Sequence, residues 1–204
     1  MLVLLKKILE RLKKYLLWIV YVIRFNEYHI SCYLRKPILI TPKYISLGRN
    51  VHIRDFARIE GVSKYGNQHF TPRIIIGDGC GIEQCVHITC AKSIIIGANT
   101  AIAAHVTITD INHPYIDVNI PIEQQNIEVQ EVVIGDDCKL YNGVVVLPGV
   151  HIGKHVTIGA NAVVTHSIPS YCVAVGCPAY IIKRYNFEIQ KWQKTDKNGN
   201  FIMS

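Results

Sequence analysis

Nine histidines and seven cysteines are the side chains of this 204-residue chain best suited to chemistry near neutral pH. The thiols are Cys32, Cys80, Cys85, Cys90, Cys138, Cys172 and Cys177, an odd number with no C-x-x-C pair. A disulfide framework or a zinc ribbon therefore does not fit, and a reducing compartment does. Most of these thiols read as small core hydrophobes. Imidazole ionises closer to neutrality than other side chains, so a positioned histidine can take and return a proton. His113 stands in the loop Thr109-Asp110-Ile111-Asn112-His113-Pro114, where by position alone it reads as capping a turn before the proline. Charge narrows the choice of partners. The formal net charge is +7, but six bases (Lys6, Lys7, Arg11, Lys13, Lys14, Arg24) and one acid, Glu10, put +5 of it in the first 24 residues. The remainder is too weakly basic for a body that binds nucleic acid.

Stepping along that basic opening, Leu5, Ile8, Leu9, Leu12, Leu16, Ile19, Val20 and Ile23 recur every three or four residues, with the charges between them. This spacing predicts a basic amphipathic helix. Its longest uncharged run, Tyr15 to Ile23, is nine residues, where a spanning helix needs about 20. Arg24-Phe25-Asn26-Glu27 follows without a small-x-small cleavage site, so a secretory signal is not expected. Two uses remain open: residues 1–24 lie against an anionic membrane, or the apolar stripe packs on protein, either this chain or a sister subunit.

The elements that must position any chemistry come from a six-residue period. Aliphatic residues fall at 47, 53, 59; 76, 82, 88; 96, 102, 108; 134, 140, 146; and 152, 158, 164, often followed by Gly. Six is neither the helical 3.6 nor the strand period of 2, so each hexad reads as a short strand and a turn in a solenoid. Three hexads close one triangular coil, and fifteen give about five coils spaced about 4.8 Å apart. Gly after the aliphatic residue is expected to serve corners of positive φ. Two interruptions, 65–73 and 113–131, are long for a compact solenoid, and loops of that kind usually carry function. Residues 186–194 are expected to form a short terminal helix. The domain boundaries read as 1–35 for the N-terminal helical segment, 36–182 for the β-helix and 183–204 for the C-terminal helix and tail.

The hexads, the Asp110 to Pro114 loop, the run Ile134-Gly135-Asp136-Asp137-Cys138, the run Leu147-Pro148-Gly149-Val150-His151-Ile152-Gly153 and the segment Gly176-Cys177-Pro178-Ala179 together resemble the hexapeptide-repeat acyltransferases. The nearest subgroup is the sugar O-acetyltransferases, of the galactoside and maltose type and those acting on surface polysaccharides. The resemblance covers about residues 45 to 184. It implies a mainly β fold, a left-handed parallel β-helix, assembled as a homotrimer, with acetyl-CoA as acyl donor in the cleft between subunits and no metal. By the same resemblance His113 is the catalytic base that removes a proton from a sugar hydroxyl, oriented by Asp110 or by nearby backbone. Asn142, Ala160, Thr165, His166 and Lys183 would bind the coenzyme, and Glu83 the carbohydrate acceptor. A cytoplasmic protein, peripheral on the inner membrane face and acting on a glycan precursor, follows from the basic helix and the resemblance together.

Two other readings share the solenoid. In a gamma-type carbonic anhydrase three histidines from two subunits hold a metal, and His87, His105 and His113 sit in neighbouring coils. His87 and His105 occupy different hexad positions, however, and need not converge on the about 2.0 Å ligand distances of a zinc site. A non-catalytic scaffold would be consistent with Lys139, Tyr141 and His166, which depart from the family pattern.

Overall fold

The computed structural model describes residues 9, 12, 16, 19–196 and 199–202. The chain winds through three sheets in turn and returns to each one coil later. The five-stranded sheet is built from Ile45–Leu47, Arg73–Ile76, Ser93–Ile96, Val132–Ile134 and His151–Ile152. A six-stranded sheet holds Leu39–Ile40, Arg58–Gly61, His87–Cys90, Thr107–Thr109, Val145–Val146 and Val163–Val164. The third has nine strands, of which Tyr33–Leu34, His52–Ile53, Gly81–Ile82, Ala101–Ile102, Lys139–Leu140, Thr157–Ile158 and Cys172–Val175 run parallel. The result is a parallel β-helix, mainly β as the hexads require.

The register shows what the period is for. Ile53, Ile82, Ile102, Leu140 and Ile158 pair directly from coil to coil. All fifteen aliphatic positions of the repeat are buried, and each large side chain so placed contributes about 1.5–3 kcal/mol relative to exposure. Beside this ladder runs a smaller one, Val51, Cys80, Thr100, Cys138 and Val156, also buried. Here a thiol or hydroxyl has a second use. The side chains of Cys80, Thr100 and Cys138 donate to the carbonyls of Gly97, Gly135 and Gly153 at 3.0, 2.9 and 3.0 Å. Burial pushes the Cys80 thiol up to about 11, so it stays protonated as a donor. Cys32, Cys80, Cys90, Cys138 and Cys172 are buried; Cys85 is half-buried and Cys177 exposed.

The repeat glycines serve a purpose other than the expected one. Positive φ occurs at the third residue after the aliphatic at two of the three corners of each coil: Asn50, Gly79, Asn99, Asp137 and His155 at one, Phe56, Cys85, His105, Gly143 and Asn161 at the next. These are mostly the residue types that tolerate left-handed backbone. Gly77, Gly97, Gly135 and Gly153 instead allow coils to touch. A Cβ on Gly135 would lie 2.8 Å from the carbonyl carbon of Gly153 and the nitrogen of Lys154. Gly135→Ala is therefore expected to lower stability by about 1–3 kcal/mol. Gly81→Ala, which meets nothing within 4 Å, should change it by less than about 0.5 kcal/mol. Thermal unfolding of the two variants side by side checks this.

Both termini differ from the expected layout. Residues 186–194 are not helical: Tyr180–Asn186 and Lys191–Lys194 form an antiparallel hairpin that extends the nine-stranded sheet from Cys172–Val175. The open sheet edge offers backbone partners that a nine-residue helix would lack. Asn186 closes the turn by accepting the Glu188 N–H at 2.9 Å and donating to Gln193 at 2.7 Å. A boundary at 182/183 consequently cuts a continuous strand. At the other end the solenoid already begins with Tyr33–Leu34, before residue 36, and a parallel bridge joins Glu27 to Ser46. The N-terminal helix falls largely outside the described residues. Positions 9, 12, 16 and 19–22 are helical.

Candidate active site

Both interruptions of the repeat leave from the corner between the six- and five-stranded sheets. The first is a hairpin, Lys64–Tyr65 with Gln68–His69. The second departs on Ile111–Asn112, returns on Glu128–Val129 as their antiparallel partner, and carries a short 3-10 turn at Ile122–Gln124. Between them in the stack lies a tight turn at Ala91 and Lys92, and Asp110 closes it. Its fully buried carboxylate accepts the N–H groups of Ala91, Lys92 and Ser93 at 2.8, 2.7 and 2.8 Å and the Cys90 thiol at 3.3 Å. Burial and the adjacent Asp110 carboxylate push the Cys90 thiol well above its ordinary range. Asp110 is thus committed to the turn, and the ring of His113 has another partner.

That partner comes from the hairpin. Gln68 clasps the long loop, donating to the Ile127 carbonyl at 3.1 Å and accepting the Ile127 N–H at 2.7 Å. Tyr65 then reaches its hydroxyl to Glu123, 2.6 Å from the backbone carbonyl and 3.0 Å from Oε2. The same oxygen lies 3.4 Å from His113 Nδ1, with the rings edge to face at 5.3 Å. Glu123 Oε2 is 4.0 Å from Nδ1, and the His113 side chain is 37% exposed. A phenol has one proton, and here Glu123 takes it. The oxygen then offers its lone pair to Nδ1, which favours the tautomer with the proton on Nδ1 and leaves Nε2 free to accept one. Desolvation, with the Glu123 carboxylate adding to it, holds the Tyr65 phenol above its usual range, so it remains a donor to Glu123. Tyr65 and Glu123 were not singled out from sequence. The signal was the pair of interruptions that contain them, without any indication that the two meet.

The other expected site residues do not gather around His113 in one chain. Asn142 and Ala160 stack one coil apart at the corner between the nine- and six-stranded sheets, where the Asn161 N–H donates to the Asn142 carbonyl at 2.9 Å. Thr165 and His166 follow Val163–Val164 at the opposite edge of the six-stranded sheet, on the His113 side, with Thr165 Oγ1 2.8 Å from His166 Nδ1. At about 3.3 Å per residue the two edges are roughly 15 Å apart. Glu83 sits at the first of these corners, its Oε2 3.6 Å from Arg54 Nε. Lys183 is exposed on the terminal hairpin, directly opposite Lys194. Two like charges in register repel unless an anion lies between or beside them, which makes Lys194 a candidate that the sequence did not suggest. Arg184 is occupied, donating to the Gly199 carbonyl at 3.1 Å and lying over the Phe201 ring.

His87 projects from the six-stranded sheet beside Arg58, and burial pushes its imidazole down, with the Arg58 charge adding to the effect. His105 takes the left-handed corner position and is exposed. Among the described residues no three His, Cys, Asp or Glu side chains are grouped to hold a metal ion.

Residues 131–166 match the model of the bacterial transferase hexapeptide, six repeats. A relative in Escherichia coli, provisionally named as the lipopolysaccharide biosynthesis O-acetyl transferase WbbJ, is 43% identical over 190 residues, covering 83% of this chain and 96% of the relative. This chain belongs to the hexapeptide-repeat O-acetyltransferases. It is an acyltransferase. The galactoside O-acetyltransferase of Lactococcus lactis is 29% identical over 168 residues, covering 80% of this chain and 74% of that one. The fold is shared with AntD, an N-acyltransferase of Bacillus cereus solved with a dTDP-linked amino sugar and coenzyme A, at a TM-score of 0.61 and 19% identity over 83% of this chain and 89% of that one.

Proposed function

We propose that this O-acetyltransferase moves acetyl from acetyl-CoA to a hydroxyl of a sugar or surface-glycan precursor, with His113 as general base. The observation that carries the reading is the Tyr65 hydroxyl, whose proton goes to Glu123 and whose lone pair faces His113 Nδ1. With Nε2 unprotonated, His113 accepts the acceptor hydroxyl proton as its oxygen attacks the thioester carbonyl. The C–S bond then breaks, and the imidazolium returns the proton to the departing thiolate. The names of the E. coli and L. lactis relatives support a carbohydrate acceptor.

The width of the six-stranded sheet supports an assembly in which copies share sites, and we take it to be the homotrimer of the family, with a left-handed helix of about five coils. His113 and Thr165-His166 on one edge would then meet Asn142 and Ala160 on the opposite edge of a neighbour. Lys183, with Lys194 beside it, suits the coenzyme phosphates, and Glu83 the acceptor. The seven cysteines, with no disulfide among the described residues, support a reducing cytoplasmic location.

Thiol release from acetyl-CoA across a panel of sugars and nucleotide sugars tests the reaction; no acceptor-dependent release from a protein that still binds coenzyme A would end it. Tyr65→Phe and Glu123→Gln are expected to lower kcat about ten- to a hundredfold with little change in KM, because they misplace the ring rather than the substrates. A pH–rate profile that stays unaltered in both variants would show that the pair does not act on His113.

A further inference from the structure

The N-terminal segment ends in a mooring. Tyr21, Phe25 and Tyr28 form an aromatic cluster with ring centroids 5.1 to 5.6 Å apart, and Phe25 is buried. Asn26 donates to the Ile45 carbonyl at 3.1 Å, and Leu47 to the Glu27 carbonyl at 3.0 Å. Ahead of that mooring, the described aliphatic residues are exposed rather than buried on the chain's own solenoid. Leu12 is 56%, Leu16 63% and Ile23 79% exposed, and Leu9, Ile19 and Val20 are exposed as well. At about 100° per residue Leu9, Leu12, Leu16, Ile19 and Val20 fall within a single stripe of roughly 100°, Ile23 follows in the turn, and the sequence sets Lys6, Lys7, Glu10, Arg11, Lys13 and Lys14 at positions between the apolar ones. Packing on the same chain, one half of the second use open from sequence, is therefore excluded for the described positions.

We propose that this stripe docks on an anionic phospholipid surface. Charge selects that occupant over a second copy. Six bases against one acid give the segment +5, so gathering several copies of it costs mutual repulsion, whereas a negatively charged leaflet attracts it. The apolar stripe enters the headgroup boundary, the flanking lysines meet the phosphates, and the aromatic cluster fixes the solenoid at the surface. No helix among the described residues is long and apolar enough to cross. The proposal does not depend on acetyl transfer, and its failure would leave that reaction untouched.

The test is sedimentation of the full chain with vesicles of phosphatidylcholine alone or with about a third phosphatidylglycerol. The protein is expected to pellet with the anionic vesicles, not with the neutral ones, and to be released by salt. Lys13→Gln with Lys14→Gln should weaken binding about thirtyfold, and Leu16→Asp with Ile23→Asp should abolish it, both without loss of the thermal unfolding transition. The lysine pair carries the test if the aspartate pair fails to fold. Protein that stays in the supernatant with anionic vesicles overturns the proposal. So does a change in subunit number on light scattering of the folded aspartate variant without lipid, which would make the stripe an interface between copies.

Discussion

Replacing His113 by alanine is expected to cut acetyl transfer by about 10²- to 10⁴-fold, the range a positioned general base contributes, while leaving the unfolding midpoint within about a degree or two of the parent. The two halves of this expectation have separate causes. The imidazole is 37% exposed, and the partners that hold it, Tyr65 and Glu123, bond to each other without it. Removing the ring therefore opens no core cavity and leaves no buried donor unpaired. What disappears is the Nε2 lone pair that takes the hydroxyl proton in the proposed reaction. Coenzyme A binding, read by calorimetry, should survive, since none of the proposed coenzyme contacts involves this ring. A variant that keeps most of its turnover would remove His113 from the reaction even though the fold and family stand. A variant that loses coenzyme binding along with turnover would move it to the donor site.

Asp110→Ala is expected to have the largest effect on stability, about 4 kcal/mol or more. The side chain is fully buried and accepts three backbone N–H groups and a thiol. Hydrogen bonds to a charged acceptor contribute about 1.5–3 kcal/mol each, and donors stranded in the interior add their own desolvation cost. Asp110→Asn should recover only part of the loss, because its amide nitrogen would face donors where an oxygen now accepts. Denaturant unfolding reads the stability. Activity should fall as well, since Asp110 lies three residues before His113 and its backbone accepts the Gln130 N–H at 2.9 Å at the root of the long loop. An Asp110→Ala protein as stable as the parent would show that the turn at Ala91 and Lys92 does not need the carboxylate.

The distinction between these two residues bears on how legible the site was. His113 and Asp110 stand in one six-residue motif, and from sequence either Asp110 or the backbone could have oriented the ring. The fold separates their tasks: Asp110 faces inward to the neighbouring coil, and the group beside the His113 ring arrives from Tyr65, 48 positions away. The repeat glycines carry a similar lesson. Their spacing is plain in the sequence, but whether a glycine answers to φ or to a neighbour's approach depends on a coil about twenty residues further on. Gly135 is there for Gly153, and the left-handed backbone falls to Asp137 and His155, each two residues after its glycine. The terminal hairpin differs from the expected helix for the same reason, since a stretch as short as 186–194 has its conformation decided by the sheet edge it meets.

By itself the sequence determined the solenoid, because a six-residue alternation of aliphatic and small residues has few ways to bury its apolar face, and a ladder of identical coils satisfies the backbone at every step. It also determined the basic amphipathic character of the opening segment and the two places where the repeat is broken. Only the tertiary structure decided which groups meet at those breaks. The hairpin after the first coil and the loop after the third touch across a coil that belongs to neither, so Tyr65, Glu123 and His113 become neighbours through stacking distance, a quantity that no local spacing along the chain contains.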